Sequence, residues 1–242
     1  MRQGHFEELA RKDRSYWWFR TRYRTVVRLL KTHHVQAFSR GLMDYGCGTG
    51  GFLEHVTSSG FVDRAHAIGV DADAGVMRSL SVRGLQGLHS AAESLADLQL
   101  PFPPDVITML DVLEHLDDPA GVLASLGDKV NRPATLVVLV PAMQSLWSEW
   151  DERLAHRRRY DRGTLAAHLR DGGWQTVSMQ YLFPSMVIPA TLRRRLGIAA
   201  GSDDFPEIDR RLNWLLGWCT ALESRFPWWP CGTSLAAVAR RR

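Results

Sequence analysis

The stretch Asp44-Tyr45-Gly46-Cys47-Gly48-Thr49-Gly50-Gly51 constrains this chain more than any other, because glycine at every second position specifies a backbone that side chains forbid. The apolar run Gly41-Leu42-Met43 before it reads as a strand, and Gly51-Phe52-Leu53-Glu54-His55-Val56 after it reads as the opening turns of a helix. A glycine loop at a strand-to-helix turn leaves the first amides of the helix free. A nucleotide-like ligand can then lay an anionic or polar group against bare main chain. Alone, such a turn is a weak signal. It gains weight from Ala65-His66-Ala67-Ile68-Gly69-Val70, a short apolar segment closing on Asp71. That carboxylate falls roughly twenty residues past the glycines, where a doubly wound nucleotide fold places an acid for the ribose hydroxyls.

The rest of the chain alternates strand and helix, the pattern of a parallel sheet covered on both faces. Strands are expected near 41–45, 65–70, 86–89, 105–110, 134–140, 175–182 and 233–239. Leu136-Val137-Val138-Leu139-Val140 is apolar at every position, as a strand buried on both sides requires, and Pro141 closes it. Asp171-Gly172-Gly173-Trp174 reads as a helix stop. Before the core, residues 1–38 look helical, with Tyr16, Phe19, Tyr23, Val26, Val27 and Leu30 recurring at spacings of three and four. Between 182 and 230 the character changes. Prolines break an apolar run, then Leu212, Trp214, Leu215, Leu216, Trp218 and Leu222 load one helix with bulky apolar groups, and Phe226-Pro227-Trp228-Trp229-Pro230 follows. The plainer reading is a helical insertion packed over the core's ligand cleft; arginines beside Trp and Leu also suit a helix lying in a membrane interface.

Composition narrows the class. The three cysteines, Cys47, Cys219 and Cys231, have neither metal-ligand nor paired spacing, which suits a reducing cytoplasm. The N-terminus lacks a signal-peptide pattern and no uncharged apolar run reaches membrane-spanning length. A cytoplasmic protein is expected, with peripheral attachment at the inner membrane surface as the alternative. The net charge of +4 comes largely from arginine clusters at 20–24, 157–159, 193–195 and 240–242. These read as solvated surface, or as attraction to phosphate.

Asp44-Tyr45-Gly46-Cys47-Gly48-Thr49-Gly50, Gly69-Val70-Asp71 and Asp111-Val112-Leu113-Glu114-His115 together resemble the class I S-adenosylmethionine (SAM)-dependent methyltransferases. The aromatic helix start Tyr16-Trp17-Trp18-Phe19-Arg20 and the segment His156-Arg157-Arg158-Arg159-Tyr160 resemble its bacterial small-molecule branch. The resemblance implies an α/β, Rossmann-like, doubly wound sheet of seven strands, mostly parallel with an antiparallel last strand. It divides the chain into an N-terminal helical lid (1–38), a SAM-binding core (39–181), an apolar helical insertion over the acceptor site (182–230), and a last strand with a basic tail (231–242).

SAM is the cofactor so implied, with Asp44, Gly46, Cys47, Gly48 and Gly50 forming its turn and Asp71 and Ala72 on the ribose and adenine side. Asp111 is expected at the methionine end, and Trp17 and Arg20 in the lid. Where the family often has an acid near the adenine, this chain has alanine, so Ala91 and Ala92 are expected to contribute backbone. His156 suits a general base for a hydroxyl acceptor, having an unperturbed pKa near neutrality; Tyr160 could orient the nucleophile and His115 is a further base candidate. Arg158 and Arg159 are expected to bind an acceptor carboxylate or phosphate. No metal and no nucleic-acid partner are expected. The implied function is methyl transfer to a small molecule, such as a hydroxyl of a glycan, lipid-linked sugar or secondary metabolite. Alternatives are a nucleic-acid or protein methyltransferase, or a non-catalytic SAM-binding protein at a membrane surface. A dehydrogenase would show the wider Gly-x-Gly-x-x-Gly spacing, and an amino-methylating nucleic-acid enzyme commonly carries Pro-Pro-aromatic where this chain has Asp111-Val112-Leu113-Glu114.

Overall fold

The computed structural model describes residues 9–33, 41–89, 95, 98–130, 133–195 and 207–241. Seven strands form one sheet: β1 (Leu42–Tyr45), β2 (Ala67–Asp71), β3 (Gln86–His89), β4 (Val106–Leu110), β5 (Ala134–Pro141), β6 (Gln175–Leu182) and β7 (Ser234–Arg241). Their order is β3-β2-β1-β4-β5-β7-β6. The first five pair in parallel, and β7 runs antiparallel to both of its neighbours. Each expected strand is present, and the expected antiparallel last strand lies inside the sheet rather than at its edge.

Helices cover both faces because β5 presents alternate side chains to two cores. Leu136, Val138 and Val140 join one core with α4 (Pro119–Asp128) and α6 (Arg162–Asp171). Val137 and Leu139 join the other with α1 (Trp17–Thr32), α2 (Gly51–Ser58) and α3 (Ala74–Val82). The continuous apolar reading of this strand thus follows from burial on both sides. Between β5 and α6 comes a short helix, α5 (Glu149–Arg153); α7 (Val187–Arg195) and α8 (Arg210–Glu223) lie between β6 and β7.

The apolar stripe of α1, Val26, Val27, Leu29 and Leu30, is buried in the second core. Helix α7 neighbours the turn Gln144–Leu146, whereas α8 packs on α1.

Candidate active site

The sheet reverses its strand order at β1, between β2 and β4, and the glycine turn leaves β1 at that switch point. Gly46, Gly48 and Gly50 all have positive φ, at 73°, 50° and 80°. A Cβ at Gly46 would run into Val112 and one at Gly50 into Leu80, so both positions are closed by packing. A Cβ at Gly48 would meet nothing within 4 Å among the described residues. Gly48 is therefore glycine for its backbone alone, and its open face is the cradle a ligand needs.

Asp71 braces this turn. Its carboxylate accepts from Gly48 N–H at 2.8 Å and from Asp73 N–H at 2.9 Å, joining the glycine turn to the end of β2. Asp44 is buried on β1 and accepts from the Thr108 hydroxyl at 2.6 Å. Burial raises its carboxyl to about 7, against the opposing effect of the Thr108 hydrogen bond. The folded chain thus holds a proton between pH about 4 and 7 that the unfolded chain releases. The associated stability is fully present below the ordinary carboxyl value and is lost as pH rises through 7. Asp44→Asn is expected to flatten that decline, as read from denaturation midpoints between pH 4 and 8; an unchanged slope would place the effect elsewhere. Cys47 contributes main chain only, since its thiol is buried against Gly69 and burial pushes its pKa up.

A buried ionic cluster holds the turn from behind. Asp13 accepts from Thr49 at 2.5 Å and from Arg83 at 3.0 Å, and Arg83 also pairs with Glu54. Sequence reasoning missed Asp13 and Arg83.

Beyond the ends of β4 and β5 three non-glycine residues hold positive φ: Asp111 after β4, Met143 after β5 and Ala155 just before His156. Such conformations cost on the order of 1–3 kcal/mol each and persist where surrounding structure enforces them. Asp111 forms an ion pair with Arg22 of α1, whose guanidinium also lies 3.9 Å over the Trp18 ring. Arg22, rather than the exposed Arg20, is the α1 arginine that reaches Asp111. The available signal was its spacing of four from Trp18. Trp17, expected at the cofactor, is 9% exposed and packs edge-on against Phe183, anchoring α1 instead.

Glu114 is wholly buried, and among the described residues neither carboxylate oxygen has a hydrogen-bond partner. Burial, reinforced by the charge of Asp111, pushes its pKa well up. His156 Nε2 lies 4.0 Å from Glu114, while its Nδ1 lies 3.0 Å from Asp151. Burial alone would raise the Asp151 carboxyl, but hydrogen bonds from His156 and Arg159 outweigh it and bring the value to about 2. An ionised Asp151 can only accept, so Nδ1 carries hydrogen and Nε2 is the nitrogen left to face Glu114. His115 stacks edge-on with His156 at 4.8 Å between centroids. The ligand atoms of Glu114, His115 and His156 lie within 4.8 Å of one another, a set able to hold a metal ion.

The neighbouring expected residues have internal work. Tyr160 is fully buried and donates to the Leu113 carbonyl at 3.2 Å, so it fixes the loop after β4 from behind. Arg158 donates to the Leu116 carbonyl, and Arg159 to Asp151 at 2.7 Å and to the Ala142 carbonyl at 3.0 Å. Both arginines are thus committed to the scaffold rather than free for an acceptor. Ala72 is exposed beside Asp71, whereas Ala91 and Ala92 lie outside the described residues.

The methyltransferase-domain family profile matches residues 16–180. Among curated relatives, a ubiquinone biosynthesis O-methyltransferase of Idiomarina loihiensis is 33% identical over 136 residues, covering 48% of this chain and 53% of that protein. One from Methylococcus capsulatus is 35% identical over 98 residues, covering 38% and 39%. The chain matches about half, or less, of the length of these relatives. A SAM-dependent methyltransferase of Thermotoga maritima superposes with TM-score 0.62 at 16% identity, covering 98% of this chain and 95% of that one. Phosphoethanolamine N-methyltransferase 2 of Haemonchus contortus, solved with SAM, gives 0.57 at 12% identity, covering 90% and 52%. These structures support the fold. The open face at Gly48, the carboxylate of Asp71 beside it and the buried acid of Asp44 beneath fit a nucleoside with a cationic amino-acid end. The chain belongs to the class I SAM-dependent methyltransferases.

Proposed function

We propose that this chain methylates an oxygen of a small-molecule acceptor, which enters beside Glu114, His115 and His156. The observation that carries this reading is His156, held by Asp151 so that Nε2 offers its lone pair toward the desolvated Glu114. SAM supplies an electrophilic methyl group, leaving the protein to align the acceptor and take its proton. His156 would accept the proton that the acceptor hydroxyl gives up on methylation. Asp151 keeps the ring turned and stabilises its charged form. Asp71 holds the ribose hydroxyls, Asp44 the amino group and Asp111 the methionine end, while Ala72, with Ala91 and Ala92, lines the adenine. The name O-methyltransferase on the curated relatives supports oxygen as the target atom.

One observation favours a second reading: the imidazoles of His115 and His156, with the buried Glu114 carboxylate that lacks a hydrogen-bond partner among the described residues, also make a site for a divalent cation. Such an ion would lower the pKa of the acceptor hydroxyl in place of a base. Both readings are tested by measuring S-adenosylhomocysteine release with a panel of phenols, catechols and alcohols, before and after chelation. Release that survives chelation supports His156 as base; release lost to chelation and restored by zinc or manganese supports the cation. Absence of release with every oxygen acceptor, alongside methylation of amines, would overturn the choice of oxygen.

A further inference from the structure

Helix α8 is an amphipathic helix mounted with its polar side inward. Asn213 accepts from Trp17 N–H at 2.9 Å and donates to the Ser15 carbonyl at 3.0 Å. One turn on, Gly217 faces Trp17 closely enough that a Cβ would lie 3.5 Å from it. Thr220 lies 3.0 Å from Thr21, and the Ser224 carbonyl accepts from Arg28 and from Gln180. Spacings of four, three and four put these anchors on a single face and fix the rotation of the helix. The bulky apolar residues consequently point outward: Trp214 is 67% exposed and Trp218 56%, with Leu212, Leu215 and Leu222 also exposed. Phe226 and Trp228, paired at 5.0 Å between ring centroids, extend this surface past the helix end, where Trp229 is tied to the Glu223 carbonyl at 3.0 Å.

The charges indicate what covers this face. Arg210 and Arg211 occupy the first turn of α8, where the helix dipole disfavours cations, so their placement gains nothing for the helix itself. With Trp214 and Leu215 they line an open groove of about 520 Å³. Guanidinium groups at the lip of an apolar groove match a phosphate head above acyl chains, and tryptophan favours the boundary between the two. Among the described residues no helix is long and apolar enough to cross a membrane, so contact would be lateral.

We propose that the outer face of α8, together with Phe226 and Trp228, docks on a bilayer containing anionic phospholipid. Arg210 and Arg211 meet the phosphates, and Trp214 and Trp218 enter the interface. Docking does not depend on methyl transfer. If the oxygen-methylation reading also holds, α1 links the docked face to the cleft, because Thr21 meets α8 while the adjacent Arg22 meets Asp111.

The test is sedimentation of the full chain with vesicles of phosphatidylcholine alone and of an equal mixture with phosphatidylglycerol. The chain is expected to sediment with the mixed vesicles, less so as salt rises, and poorly with phosphatidylcholine alone. Arg210→Gln/Arg211→Gln should weaken partitioning about thirtyfold, two arginine charges being lost from an anionic surface. Trp214→Ser/Trp218→Ser should abolish it while SAM affinity and melting temperature stay unchanged. No sedimentation at low salt would overturn the proposal. So would complete competition by inorganic phosphate, which would make the arginine pair a phosphate site. A concentration-dependent dimer broken by the tryptophan changes, with no vesicle binding, would also overturn it by showing that a second copy covers the face.

Discussion

His156→Ala is expected to slow methyl transfer to a hydroxyl acceptor by about 10²- to 10⁴-fold, the usual contribution of a positioned general base. The expectation rests on a ring fixed at one end, where Asp151 holds Nδ1 at 3.0 Å, with Nε2 4.0 Å from Glu114 and beyond hydrogen-bond reach of it. Because the ring is almost wholly enclosed, its removal also opens space beside Asp151 and Arg159. His156→Asn, which fills more of that space, separates the two effects. It should recover stability, seen in the melting temperature, without recovering rate. SAM affinity should change little in either variant, since the proposed role of His156 is toward the acceptor. A rate equal to wild type across pH in His156→Ala would remove the base assignment.

Arg83→Met is expected to destabilise the chain by about 3–5 kcal/mol, the typical cost of stripping one partner from a buried ion pair. Arg83 and Asp13 have side chains only 5% and 1% exposed, and Arg83 also pairs with Glu54. Burial already raises the Asp13 carboxyl against the pull of Thr49 and Arg83. Without the guanidinium, Asp13 must take up a proton or sit charged in a dry site. The melting temperature should fall on the order of 10 °C for a chain of this size. Adding Asp13→Leu to Arg83→Met should restore much of the loss, because a buried pair replaced by apolar groups is often neutral. Equal loss in the single and double variants would contradict this account and assign the effect to packing.

The sheet was legible because its signals are local. Period, run length and turn chemistry located the strands, and the spacing from Gly50 to Asp71 identified the switch point. The glycine turn was legible for the same reason, since alternating positive φ is written in the glycines themselves. What the sequence hid depends on distant segments meeting. Arg22 reaches Asp111 only because α1 lies across the second core, and Asp13 reaches Arg83 only through the fold. Trp17 and Arg159 looked like ligand contacts by type and neighbourhood, yet packing commits the first to Phe183 and the second to Asp151. Asp151 carried a faint signal, as the third helical residue of a capping box begun by Ser148. Its pairing with His156 required coordinates.

Titration calorimetry of the folded chain with SAM bears most directly on the central claim, that a nucleoside lies over Gly48 and is held through Asp71. One saturable site is expected, with affinity weakened roughly 10- to 150-fold in Asp71→Asn, as follows from losing a charged hydrogen-bond acceptor of about 1.5–3 kcal/mol. A folded chain that takes up no SAM, or an Asp71→Asn variant that binds as tightly as wild type, would contradict it.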